Sequence, residues 1–136
     1  MKLLIVEDDP LIGPAMKVVL QQAGHEVIGP LKGAAKALRL AEREQPDLAL
    51  IDYNLSGGEN GLSLARSLKE QLGLPSLLVT GFEHRGNEGK DVVLGCLRKP
   101  FSPQALMDAV MAAGELASGL RPSVVPSSLL LFKFAA

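Results

Sequence analysis

Apolar residues gather in five short runs, Leu3 to Val6, Val27 to Ile28, Leu48 to Ile51, Leu77 to Val79 and Val92 to Leu97, each bounded by turn-forming or charged residues. Their lengths suit strands rather than helices. Three of them show no polar alternation, the pattern of parallel strands covered by helices on both faces; a half-solvated antiparallel strand would alternate. Between the runs the spacing becomes helical. Ile12, Ala15, Met16 and Val19 share a stripe in Leu11 to Ala23, which closes at Gly24. Ala37, Leu38 and Ala41 align in Ala34 to Gln45, which stops before Pro46. Leu64, Ala65 and Leu68 align in Leu62 to Leu72, ahead of Gly73, and Leu106, Ala109, Val110 and Ala113 align in Pro103 to Leu116. Ser102 suits the N-cap of that last helix and Pro103 its first helical position. The crossover Glu83 to Asp91 holds two glycines, several charges and almost no apolar stripe. A short, easily rearranged helix is expected there.

Alternating strands and helices predict an α/β fold, a doubly wound five-stranded parallel sheet; the flavodoxin-like order 2-1-3-4-5 is one of two common solutions. In such sheets ligands sit outside the carboxyl ends of the strands, so the residues just after each apolar run become the candidates. Beyond Gly119 the composition turns to Pro and Ser and then to the apolar stretch Leu129 to Phe134. This divides the chain into a domain over 1–118 and a C-terminal tail over 119–136. The tail is apolar enough to seek cover on its own domain or on a second copy, as a homodimer, with disorder as the alternative.

A chain of 136 residues supplies one hydrophobic core. Its 14 Lys and Arg against 15 Asp and Glu, with the basic residues scattered singly, argue against direct nucleic-acid binding. Cys96 is the only cysteine, which excludes an intramolecular disulfide and zinc sites built on paired thiolates. The first apolar run stops at Glu7, far short of a signal peptide or membrane span, so a cytoplasmic protein without membrane contact is expected.

Glu7, Asp8 and Asp9 follow the first run, and Pro10 follows them. Asp9 with Pro10 explains a helix start, but capping needs one acid only. Glu7 and Asp8 are left to repel each other unless a cation or proton compensates. If runs one and three are neighbours, Asp52 joins them. Three clustered carboxylates suit Mg²⁺, and a carboxylate beside such an ion can attack phosphorus to form an acyl phosphate. Read alone, Asp52 is more simply a turn residue, Thr80 a strand end and Lys99 a solvated charge. Together, the hydroxyl and ammonium after runs four and five could reach phosphoryl oxygens. Lys99-Pro100 also admits a cis peptide.

The motifs Val6-Glu7-Asp8-Asp9-Pro10, Asp52-Tyr53-Asn54, Val79-Thr80-Gly81 and Lys99-Pro100-Phe101 give the chain a specific resemblance to a bacterial two-component response-regulator receiver domain, over roughly residues 2–117. That resemblance implies Glu7 and Asp8 as acidic magnesium residues, Asp52 as phosphoacceptor and metal ligand, and the Asn54 backbone carbonyl as a further ligand. Thr80 and Lys99 become phosphate partners, and Asp9 stays a cap. It further implies a histidine kinase or histidine phosphotransfer protein as phosphoryl source, with a downstream protein partner left unnamed. The chain departs from the commonest pattern at Cys96, where an aromatic switch residue is usual, and in the loop Ser56 to Asn60, about one residue longer than usual. Pro75-Ser76-Leu77-Leu78-Val79-Thr80-Gly81-Phe82 resembles the Pro-Phe-x-Phe-Ala-Thr-Gly-Tyr motif of an alphaproteobacterial receiver subgroup that also lacks the aromatic.

The expected protein is thus a stand-alone receiver, with no room for an output domain after residue 117, that signals by protein contact or serves as a phosphoryl sink rather than as an enzyme. A haloacid-dehalogenase-type phosphatase would need Asp-x-Asp, where this chain has Asp52-Tyr53-Asn54. A pseudo-receiver acting as a binding module would not need the full set Glu7, Asp8, Asp52, Thr80 and Lys99.

Overall fold

A computed structural model describes residues 1–81 and 89–132. In chain order the elements are β1 (Lys2–Val6), α1 (Ile12–Gln22), β2 (Glu26–Leu31), α2 (Ala34–Glu44), β3 (Leu48–Asp52), a 3₁₀ turn (Ser56–Gly58), α3 (Gly61–Leu72), β4 (Ser76–Thr80), β5 (Gly95–Arg98), α4 (Pro103–Ala117) and β6 (Leu129–Leu131). The sheet runs β2-β1-β3-β4-β5-β6. The first five strands are parallel and hold the expected order, 2-1-3-4-5. β6 is an addition, antiparallel to β5.

The unbroken apolar runs are explained by a core on each face of the sheet. Successive side chains of a strand point to opposite faces. Leu4, Val6, Ala49, Ile51 and Leu78 therefore pack with residues of α2 and α3, while Leu3, Ile5, Leu48, Leu50, Leu77 and Val79 pack with residues of α1 and α4. Burying every position of such a strand, at roughly 1.5–3 kcal/mol for each large apolar side chain, is what excludes polar residues from it.

Local chemistry sets the helix limits. Ser102 Oγ accepts the Ala105 N–H at 3.0 Å, with Pro103 opening α4. Asn60 Oδ1 accepts the Leu62 N–H at 2.7 Å at the start of α3, which ends at Gly73 in the left-handed region. Asp9 Oδ1 accepts the Leu11 and Ile12 N–H groups at 2.8 and 3.1 Å ahead of α1, so it does the work of a cap although regular helix begins at Ile12.

Three expectations need correction. The stripe of α1 that reaches the core is Gly13, Met16 and Leu20; Ile12 and Val19 flank it and Ala15 is exposed. β5 begins at Gly95 rather than Val92, because the N–H groups of Val92 and Val93 both close on the Gly89 carbonyl in a turn. Both valines are buried, so their apolar character reflects core contact and not a strand. The sheet has six strands among the described residues, not five, because Leu129–Leu131 leaves the stretch read as a tail and pairs with β5. The crossover Glu83 to Asp91 lies outside the described residues over 83–88, and Gly89 to Asp91 form part of the turn before β5.

Candidate functional site

Strand register alone gathers the candidate residues. Val6 of β1 lies opposite Ile51 of β3, so the next residues, Glu7 and Asp52, leave the same sheet edge side by side. Asp52 lies opposite Val79, which puts Thr80 one step further along β4, and Thr80 lies opposite Arg98, which Lys99 follows. Four strand ends thus deliver two acids, a hydroxyl and an ammonium to one edge, and Asp8 joins them from the β1–α1 junction.

Carboxylate oxygens of Glu7, Asp8 and Asp52 lie within 4.8 Å of one another. Lys99 Nζ stands 2.9 Å from Glu7 Oε1 and 3.5 Å from Asp52 Oδ2. Glu7 and Asp52 are buried, as is Thr80. The Glu7–Lys99 contact is a short charge pair, with the Lys99 ammonium against Oε1, while Glu7 Oε2 accepts the Asp9 N–H at 3.3 Å. Burial, joined by the neighbouring Asp52 carboxylate and opposed by Lys99, pushes the Glu7 carboxyl up to about 7. For Lys99, burial disfavours the charged form, but pairing with Glu7 and then Asp52 outweighs it and holds the ammonium above its ordinary value.

Lys99 thus pairs with two of the three carboxylates. Three carboxylates with oxygens within 4.8 Å of one another, two of them buried, form the hard oxygen donor set that suits a divalent cation such as Mg²⁺. Asn54 is exposed, and its N–H donates to Asp52 Oδ1 at 3.2 Å. Thr80 accepts the Lys99 N–H on its backbone carbonyl at 2.7 Å, tying the two phosphate-partner candidates together. Lys99-Pro100 is a cis peptide.

Two residues that sequence reading passed over shape this edge. A Cβ on Gly61 would overlap the backbone carbonyl oxygen of Asp52, so α3 can start this close to the acid only with glycine there. The Gly61 N–H donates to the Tyr53 carbonyl at 2.7 Å, pinning the turn after Asp52. Glu59 sends Oε1 to the Ala34 N–H at 3.1 Å and so ties the long loop after β3 to the start of α2. The Asn60-Gly61 pair ahead of a helical stripe was the visible signal for the first; nothing local announces the second.

The response regulator receiver domain family matches residues 3–111. The chain belongs to that family. Among curated relatives it is 31% identical over 106 residues to the phyllosphere-induced regulator PhyR of Methylorubrum extorquens, covering 75% of this chain and 39% of that protein. It is 32% identical over 120 residues to the DNA-binding response regulator MtrA of Mycolicibacterium smegmatis, covering 82% of this chain and 49% of that one. The chain therefore spans less than half the length of these two relatives. Among solved structures, the signal receiver domain of a modulated diguanylate cyclase from Desulfovibrio desulfuricans superposes with a TM-score of 0.78 at 28% identity, covering 86% of this chain and 95% of that one. PhyR from Brucella abortus gives 0.76 at 27% identity, covering 87% of this chain and 49% of that one. Receiver domains are signalling domains of two-component systems, phosphorylated on aspartate with Mg²⁺ bound in an acidic pocket, and their phosphoryl sources are histidine kinases or phosphotransfer proteins. Among the described residues no helix is long and apolar enough to cross a membrane.

Proposed function

We propose that this receiver accepts a phosphoryl group on Asp52 from a phosphohistidine of a histidine kinase or phosphotransfer protein, and that it signals through altered protein contacts or drains phosphoryl groups as a sink. The observation that carries this reading is the convergence of Glu7, Asp8 and Asp52 within 4.8 Å, with Lys99 reaching two of them at 2.9 and 3.5 Å. An Asp52 carboxylate oxygen attacks phosphorus, the P–N bond of the donor breaks, and the imidazole leaves with its electron pair. Glu7, Asp8, Asp52 and the Asn54 carbonyl would hold Mg²⁺, which supplies charge neutralisation for the phosphoryl oxygens. Lys99 and Thr80 would bind the remaining oxygens.

Incubation with a small phosphodonor and Mg²⁺, followed by intact-mass measurement, tests the assignment. One labile phosphoryl group per chain is expected, absent from Asp52→Asn and from samples in excess chelator. An Asp52→Asn protein that gains the same group at the same rate, or catalytic turnover of a phosphomonoester in place of stoichiometric labelling, would overturn it.

A further inference from the structure

β6 occupies a position prepared for it. Gly95 opens β5, and glycine inside a strand weakens it unless another backbone must approach closely. Here one does: a Cβ on Gly95 would overlap the Leu130 carbonyl oxygen, and the two next nearest atoms are also backbone of Leu130 and Leu131. The pairing sets Gly95 opposite Leu131, Cys96 opposite Leu130 and Leu97 opposite Leu129. At its two ends the Phe132 N–H donates to the Leu94 carbonyl and the Arg98 N–H to the Ser128 carbonyl, both at 2.9 Å. Leu129 and Phe132 are buried, in the cores of opposite sheet faces.

The last of those hydrogen bonds sits one residue from the phosphoryl pocket. Arg98 shares a peptide unit with Lys99, whose own N–H is held by Thr80 and whose ammonium is held by Glu7 and Asp52. We propose that β6 is a releasable strap admitted by Gly95, and that a phosphoryl group on Asp52 loosens it by drawing Lys99 and the end of β5 toward the pocket. The inference rests on the reading of Asp52 as phosphoacceptor. A phosphoryl group brings about 1.5–2 negative charges to a site where Lys99 is the nearest cation among the described residues. β5 is tied to β4 along its length, whereas β6 is a three-residue edge strand, so the adjustment is taken up where the fewest contacts break.

Amide hydrogen exchange on the full chain, with and without phosphodonor and Mg²⁺, reads the strap directly. The Arg98 and Phe132 amides should exchange roughly 5- to 100-fold faster in the phosphorylated chain, the range of ordinary allosteric coupling. The Leu94 amide, held by the Ser76 carbonyl on the β4 side, should stay protected. Gly95→Val should release the same two amides without phosphoryl transfer and, by reciprocity, should bind a beryllofluoride mimic more tightly. Leu130→Pro, which leaves β5 untouched, should do the same if the valine variant fails to fold. Intact mass separates the two ideas: a chain that gains no phosphoryl group sinks the acceptor reading and this inference with it. A chain that is phosphorylated while Arg98 and Phe132 exchange no faster overturns the strap alone.

Discussion

Glu7 shows how much of the site a single residue can report. Its native carboxyl is raised from 4.5 to about 7, by burial foremost, so between those values the folded protein holds a proton that the unfolded chain has lost. Stability changes with pH as the unfolded minus the folded proton count, which is negative here. The Glu7 contribution is thus fully present below about pH 4.5 and is lost as pH rises to about 7. Burial lowers His25, and a depressed histidine makes stability rise with pH near its ordinary value, so the slopes partly cancel. The clean measurement is the difference between wild type and Glu7→Gln in urea titrations with chelator: wild type should lose ground to the variant steadily from pH 5 to 7. A constant difference would mean that Glu7 titrates normally. The meeting of Glu7, Asp8, Asp52 and Lys99 was legible from sequence because each stands within two residues of the end of an apolar run. Gly61 showed only as half of an Asn-Gly turn signal, since the Asp52 carbonyl that forbids a Cβ there is contributed by another element. Gly61→Ala should cost about 1–3 kcal/mol by overpacking and slow phosphoryl gain at Asp52, measured by urea midpoint and intact mass. An unaffected labelling rate would show that the turn adjusts freely.

Elements were readable where their signals are local. The α4 start depends on Ser102 and Pro103, adjacent in sequence, and both serve as expected. Ser102→Ala should therefore destabilise by about 1 kcal/mol, with an unchanged dependence of free energy on denaturant, because only the cap to the Ala105 N–H is lost. No shift in urea midpoint would mean that water replaces the hydroxyl at no cost. The misreadings have separate causes. Periodicity marks burial, and burial does not separate a strand from a buried turn: Val92 and Val93 lie in the core but belong to the turn closed by Gly89. In α1, hydrophobicity pointed to Ile12, Ala15, Met16 and Val19, whereas the closest face carries Gly13, where an added Cβ would press on the Pro30 ring at 2.9 Å. A glycine at a tight helix–strand approach contributes nothing to an apolar stripe, so the stripe seemed rotated.

At the scale of the whole molecule, the absence of polar alternation pointed to a parallel sheet and 2-1-3-4-5 was one of two common orders for it; that order holds for the five parallel strands, and with it comes the meeting of three carboxylates at one edge. β6 was less legible because three residues are too few to show a period, and an antiparallel return has no signature distinct from any apolar tail. Gathering acids at a sheet edge works against folding: Glu7 and Asp52 are buried side by side and share the one Lys99 ammonium. A cation that binds the native cluster and not the unfolded chain should return that cost. At a hundredfold excess over its dissociation constant the gain is about 2.7 kcal/mol, which for a domain of this size raises the melting temperature on the order of 10 °C. The same reasoning makes one variant decisive. Asp8→Ala should gain nothing from Mg²⁺, whereas wild type should gain the full increment. Thermal melts of both proteins with and without the metal decide it: an Asp8→Ala chain that Mg²⁺ stabilises as much as wild type would place Asp8 outside the metal site.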